Sequence, residues 1–216
     1  MKSEVLLVKN QEEIIMHYTG TIWRPPYEAY SLLVQVTAGC THHSCKFCTL
    51  YEDLPFKFKL SPFSEVKADL AEASKYYRKI PRIFFTGANP FVLSTEKLKT
   101  LAKMVKEYYP FYKTIGCFAR ITDIMPKSLE DLKELRALGY DGITIGVETG
   151  DDESLTFMNK GFQSKDVLEQ CRKLDEAGIS YNFFYLTGIY GAGRGEVGAK
   201  KTVMLFNQLN PKIIES

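Results

Sequence analysis

Nowhere in the chain do about 18 apolar residues follow one another, so a bilayer-spanning helix is excluded by length. The opening MKSEVLLVKNQEEIIMHY carries no long apolar block of the kind that directs export, and the expectation is a cytoplasmic protein without a membrane partner. Charge of one sign is also missing. The 28 Lys and Arg are interspersed with 26 Asp and Glu, for a formal net charge of +2, which leaves no basic stripe for nucleic acid. No low-complexity linker divides the chain. The five cysteines are an odd number and make no disulfide framework; three of them fall within nine residues, which suits a metal clip in a reducing compartment. The glycine-rich LTGIYGAGRGE lacks the Gly-Lys-Ser/Thr ending of a phosphate loop.

What is present is 216 residues, 45% of them hydrophobic, enough for one domain with a substantial core. After residue 30, short β-rich runs alternate with amphipathic helices. Strands are expected at 31–36, 82–86, 114–119, 142–147 and 181–186, with a sixth begun at 212–215. Helices are expected at 64–78, from Ser94 to about residue 108, from Ser128 to Gly139, at 151–159, from Ser164 to Gly178, and at 195–209. This alternation predicts an α/β fold, a partial (β/α)6 TIM-like barrel whose sixth unit breaks off at the C-terminus. Right-handed crossovers would then put every strand's C-terminal end on one face, where ligands of such folds bind. Residues 31–216 form the expected core domain, and residues 1–30 an irregular arm packed across it.

The segment GCTHHSCKFC places Cys40, Cys45 and Cys48 in one loop at the end of the first strand. Three soft thiolates from a single loop suit one metal centre. On a four-iron cube they leave one iron open to an outside ligand. The same residues allow an iron–sulfur electron-transfer or sensor protein. They also allow a zinc-stabilised binding module, with His42 or His43 as fourth ligand, although closed zinc sites usually take two ligand pairs from separate turns. Cys117, within a strand, and Cys171, on the apolar side of a helix, read as small buried hydrophobes.

Three clustered cysteines with Phe47 immediately before the last, following the first strand of a β/α repeat, resemble the radical SAM superfamily. The loop holds four residues between Cys40 and Cys45 where the superfamily most often has three. GCTHHSCKFCTLY is similar to an uncharacterised branch with Gly-Cys-Thr-His openings, and GITIGVETGDDESLTFMNKGF resembles the fourth-strand segment of tRNA-modifying and coproporphyrinogen-oxidising members. The resemblance implies a 4Fe-4S cluster on Cys40, Cys45 and Cys48, with S-adenosyl-L-methionine (SAM) on the open iron. It implies reductive cleavage of SAM to a 5′-deoxyadenosyl radical that abstracts hydrogen from a substrate, small or macromolecular. The electron would come from an external one-electron reductant such as flavodoxin or ferredoxin.

The same resemblance names further SAM-contacting positions. Phe47 flanks the cluster. Gly87, Ala88 and Asn89, in TGANP, match the stretch whose backbone carbonyl accepts from the SAM amino group. Glu148 would accept the ribose hydroxyls, and Lys160, in MNKG, would pair with the SAM carboxylate. Read without the resemblance, Glu148 is a helix-cap carboxylate, Lys160 a solvated lysine at a helix end and TGANP a turn. Arg120 emerges toward the same face with no assigned role, and His42 and His43 read as polar residues that shape the loop.

Overall fold

The computed structural model describes residues 2–4, 7–9, 12–14 and 16–216. Its centre is a six-stranded sheet: β1 (Leu32–Gln35), β2 (Arg82–Thr86), β3 (Thr114–Ala119), β4 (Ile143–Glu148), β5 (Tyr181–Tyr185) and β6 (Ile214–Glu215). The strands lie side by side in chain order, and each neighbouring pair is parallel. A doubly wound sheet would reverse direction at a switch point; this one always grows toward the same edge. Right-handed crossovers then send the connecting helices to a single face and leave the other face concave. Because β1 and β6 stay at opposite edges, the architecture is a barrel left open.

The longer helices are α1 (Phe63–Tyr76), α2 (Thr95–Tyr108), α3 (Leu129–Ala137), α4 (Ser164–Ala177) and α5 (Gly195–Phe206), and a short helix, Asp152–Phe157, lies where 151–159 was expected. In α2, Leu98, Leu101, Ala102 and Val105 recur at helical spacing and are all buried, while the Ser94 hydroxyl accepts from the Lys97 amide to start the helix. Helix α3 begins with a reciprocal Ser128–Asp131 capping box, and α4 ends at Gly178 in the left-handed conformation. These stripes pack on the outward residues of the sheet, among them Ile83, Phe85, Ile115, Cys117, Ile145, Val147 and Phe183. Each such side chain contributes about 1.5–3 kcal/mol on burial. The concave face carries an aromatic row: Phe84 meets Phe118 edge-on at 5.1 Å between ring centroids, and Phe118 lies 6.1 Å from Phe184.

The N-terminal segment departs from the irregular arm expected. Lys2–Glu4 pairs antiparallel with His17–Thr19, Leu7–Lys9 pairs with Glu12–Ile14, and Pro26–Glu28 forms a 3-10 turn. The segment is tied in by a buried ion pair. Glu28, 1% exposed, accepts from Arg82 Nε at 2.8 and 3.0 Å and from Nη2 at 2.5 Å. Arg82 also donates to Thr114 Oγ1 and to the carbonyls of Asp141 and Gly142. All of these groups sit where β2, β3 and β4 begin, so the arm closes the floor of the open barrel. The opposite end, where the strands finish, is left for chemistry.

Smaller differences have local causes. The first strand is interrupted after Gln35, and the chain resumes as Thr37–Gly39, paired antiparallel with Phe58–Leu60. A short helix, Ile121–Ile124, follows β3. Gln163, not Ser164, caps α4, because the Asp166 carboxylate reaches back to the Gln163 amide. Helix α5 stops at Phe206 and β6 keeps two residues. No helix among the described residues is long and apolar enough to cross a membrane.

Candidate functional site

The cysteine loop leaves the sheet through a narrow neck. The Cys40 amide donates to the Lys57 carbonyl at 2.9 Å, and Gly39, at φ 74°, presses so close that a Cβ would lie 2.3 Å from that carbonyl oxygen. Only glycine meets both conditions. Beyond the neck, Cys40, Cys45 and Cys48 are half-buried and free of disulfides, and the Cys48 amide donates to the Cys45 carbonyl at 3.1 Å.

The thiols share one electrostatic neighbourhood. Burial pushes the Cys45 and Cys48 thiols up; Lys160 and then Arg120 pull Cys45 back toward the thiolate, and the Leu50 backbone and then Lys160 do the same for Cys48, opposed by Cys40 and Glu148. Cations beside half-buried sulfurs are the surroundings that an anionic thiolate centre needs. The zinc alternative loses His42, one of its two candidate fourth ligands. The His42 ring is turned away onto the Asn159 carbonyl, Nε2 to oxygen 2.5 Å, and among the described residues no three His, Cys, Asp or Glu converge on a point that would hold a single ion. A cube presents separate iron corners, so its thiolates need not converge. Three disulfide-free thiols in one loop, with the Lys160 and Arg120 cations nearby, are a donor set that fits an iron–sulfur cube.

Glu148 ends β4 at φ 68°, a left-handed conformation that strains a residue with a Cβ. The register against β5 slips between Gly146 and Glu148, and the carboxylate folds back over Gly146, where a Cβ would stand 2.7 Å from Oε1. Lys160, 4% exposed, donates to that Oε1 at 3.2 Å. Its ammonium also faces the rings of Phe47, 5.4 Å from the centroid, and Phe162, at 5.5 Å. Phe47, Glu148 and Lys160 are thus one cluster, beside the cysteines and at the strand-end face. Lys160 is buried and paired, not the solvated lysine that a helix end alone would suggest.

In the TGANP turn the side chains are taken up within the protein. Gly87, at φ 130°, packs against Thr37 so tightly that a Cβ would lie 2.1 Å from Thr37 Oγ1. Ala88 is half-buried. The Asn89 side chain, buried, is fully engaged: Nδ2 donates to Thr41 Oγ1 at 2.7 Å and to both Asp123 oxygens at 3.1 and 3.2 Å, and Oδ1 accepts from the Thr41 amide at 3.3 Å. It clamps the cysteine loop, so its side chain is not offered to a ligand. Asp123, which sequence reasoning passed over, completes the clamp by accepting from the Arg120 amide at 2.8 Å. Arg120 acquires a role as well, its Nη2 donating to the Lys160 carbonyl. Cys117 and Cys171 are fully buried on the far side of the sheet, where burial drives both thiols far up, as small hydrophobes.

A family model described as the Radical SAM superfamily matches residues 34–199. Among curated proteins, the heme chaperone HemW of Bacillus subtilis (strain 168) is 30% identical over 97 residues, 45% of this chain and 26% of that protein. Among solved structures, the coproporphyrinogen III oxidase HemN from Escherichia coli, a radical SAM enzyme, aligns with a TM-score of 0.65 at 17% identity, covering 86% of this chain and 43% of that one. The radical SAM methyltransferase TsrM from Kitasatospora setae, solved with cobalamin and a [4Fe-4S] cluster bound, aligns at 0.67 and 17% identity, covering 85% of this chain and 36% of that one. The chain therefore spans less than half the length of these relatives, and the structural likeness speaks for the fold.

Proposed function

Because the chain belongs to the radical SAM superfamily, we propose that it is an enzyme that cleaves SAM reductively, holding a 4Fe-4S cluster on Cys40, Cys45 and Cys48. The observation that carries this reading is that Cys45 and Cys48, with Cys40 as their neighbour in the same loop, lie near the Glu148–Lys160 pair at the strand-end face. A 4Fe-4S cluster held by Cys40, Cys45 and Cys48 would supply the one electron for reductive cleavage of SAM to methionine and a 5′-deoxyadenosyl radical able to take a hydrogen atom from a substrate.

The chain's own residues bind and orient. Lys160 supplies the positive charge for the SAM carboxylate, and the backbone of Gly87, Ala88 and Asn89 accepts from the amino group. Glu148 takes the ribose hydroxyls, for which a carboxylate's two oxygens are matched acceptors. In the free protein Lys160 and Glu148 satisfy each other, which keeps both charges compensated until a zwitterionic ligand divides the pair. The Phe47 ring lies beside the Lys160 ammonium, and the Glu28–Arg82 floor closes the other end. The core for this chemistry is residues 31–216, in a cytoplasmic setting that keeps thiols reduced, with flavodoxin or ferredoxin as electron donor. The substrate, small or macromolecular, is not named by these residues, since one fold and cofactor serve many reactions.

Anaerobic reconstitution with iron and sulfide, then dithionite and SAM, tests the reading through cluster absorbance and release of 5′-deoxyadenosine. A cluster without that product would turn the assignment to electron transfer. Zinc after aerobic purification, with no cluster on reconstitution, would overturn it altogether.

A further inference from the structure

The residues between Cys40 and Cys45 are docked on another element. His42 Nε2 lies 2.5 Å from the Asn159 carbonyl oxygen, so this nitrogen carries the donated proton. Asn159 answers from its side chain, Nδ2 donating to the Ser44 carbonyl at 3.0 Å, and the Lys46 amide donates to the Met158 carbonyl at 3.1 Å. Ser44 Oγ donates back to the His42 carbonyl at 2.8 Å, and the Lys46 ammonium stands 4.1 Å from the Phe157 ring centroid. The imidazole packs against the turn. Asn159 adopts φ 56°, and a Cβ at Gly161 would lie 3.4 Å from His42 Cε1. Asn159 and Gly161 bracket Lys160, whose ammonium reaches Glu148.

We propose that His42 and Asn159 are positioning residues. Together they form a two-way latch that fixes the cysteine loop to the turn carrying Lys160, so that the sulfurs and the Glu148–Lys160 pair keep one spacing. The inference rests on the function proposed above. A loop with four residues between its first two cysteines has extra backbone freedom, and any wander of the sulfurs relative to Lys160 would separate the two parts of one ligand's site. Three hydrogen bonds to consecutive residues of the same turn remove that freedom. Reactions of this type fall off steeply when groups are misplaced by about 1 Å.

The latch is tested first in metal-free protein, by backbone hydrogen exchange. His42→Ala should speed exchange both in residues 41–46 and in 158–161, and His42→Gln, which keeps a donor, should restore part of the protection. Asn159→Gly keeps the left-handed backbone and its carbonyl but deletes the bond to Ser44, and should speed the same two segments to a smaller degree. Unchanged exchange in His42→Ala and Asn159→Gly, or a change confined to 41–46, overturns the latch. In reconstituted protein, His42→Ala should retain wild-type iron content yet need roughly tenfold more SAM to shift the electron paramagnetic resonance of the reduced cluster; unaltered SAM dependence overturns the coupling. If wild-type protein shows no SAM-dependent shift, the functional reading fails, and the exchange arm alone decides the latch.

Discussion

Glycine and alanine at position 148 separate the backbone of Glu148 from its carboxylate. Both substitutions remove the acceptor of Lys160 and leave that ammonium equally unpaired, so the comparison between them cancels the lost ion pair. What differs is the φ of 68°. Holding a residue with a Cβ in this region costs about 1–2 kcal/mol, while glycine's larger freedom in the unfolded chain returns about 0.4–1 kcal/mol of that advantage. The Glu148→Gly variant should therefore be more stable than Glu148→Ala by about 0.5–1 kcal/mol, the reverse of the order at an ordinary strand position. Urea melts of the metal-free protein, compared at equal slopes, measure the difference. SAM affinity should fall in both variants alike, by roughly ten- to 150-fold for the loss of about 1.5–3 kcal/mol of charge-assisted hydrogen bonding. If alanine proves the more stable replacement, the strain argument is wrong. If SAM binds both variants within about threefold of the wild type, a difference of less than about 1 kcal/mol, Glu148 does not hold the ribose.

Cys45→Ala should abolish both the cluster absorbance and 5′-deoxyadenosine release, whereas Cys171→Ala, in the core, should cost about 1 kcal/mol of stability and leave iron content intact; metal analysis with urea melts distinguishes them. Glu28→Gln unpairs Arg82 at the barrel floor and should lower stability by about 3 kcal/mol without altering iron content, while Lys75→Ala, which removes a surface partner of Glu72, should change the urea midpoint by less than about 1 kcal/mol. Burial pushes the Lys127 ammonium down to about 8 from its ordinary 10.5. Between those values the unfolded chain binds more protons than the folded one, so this residue makes stability rise with pH across that window and has a constant effect below it. Lys127→Met should flatten the rise in urea midpoint over the same window, and an unchanged slope would remove Lys127 as its source.

The fold was legible where the signals are local. RIFFT and TIGCFA, dense in β-branched and aromatic residues and preceded by Pro81 and by the Pro110–Phe111 turn, read as strands whose ends agree with β2 and β3 to the residue. Helix α2 was marked by both its stripe and its Ser94 cap. The Thr37–Gly39 strand was not legible, because its partner Phe58–Leu60 lies across the whole cysteine loop and three residues are too few for a periodicity. The same holds for the N-terminal strand pairs, whose three-residue runs KSE, LVK, EEI and HYT show no regular alternation and no turn signal strong enough to announce a hairpin. At the site, the cysteines could be named from their spacing, and Phe47, Glu148 and Lys160 from a resemblance. Asp123 could not be named, since a lone carboxylate in RITDI becomes a clamp only when Asn89 is folded against it.

The bonds that escaped the sequence share one geometry. The cysteine loop after β1 is held by Asn89 of the loop after β2, through Thr41. Asn89 is held by Asp123, just after β3. Arg120, at the end of β3, holds the Lys160 carbonyl in the turn after β4, and the neighbouring Asn159 carbonyl holds His42, back in the cysteine loop. Four strand-end loops are thus joined in a closed circuit, although the sheet beneath them stays open between β1 and β6. A closed barrel fixes the spacing of its loops through the hydrogen bonds of its strands. An open one does not, and here polar side chains reaching to one another and to neighbouring backbones supply that constraint around the sulfurs, where a cofactor spanning several strand ends would need it.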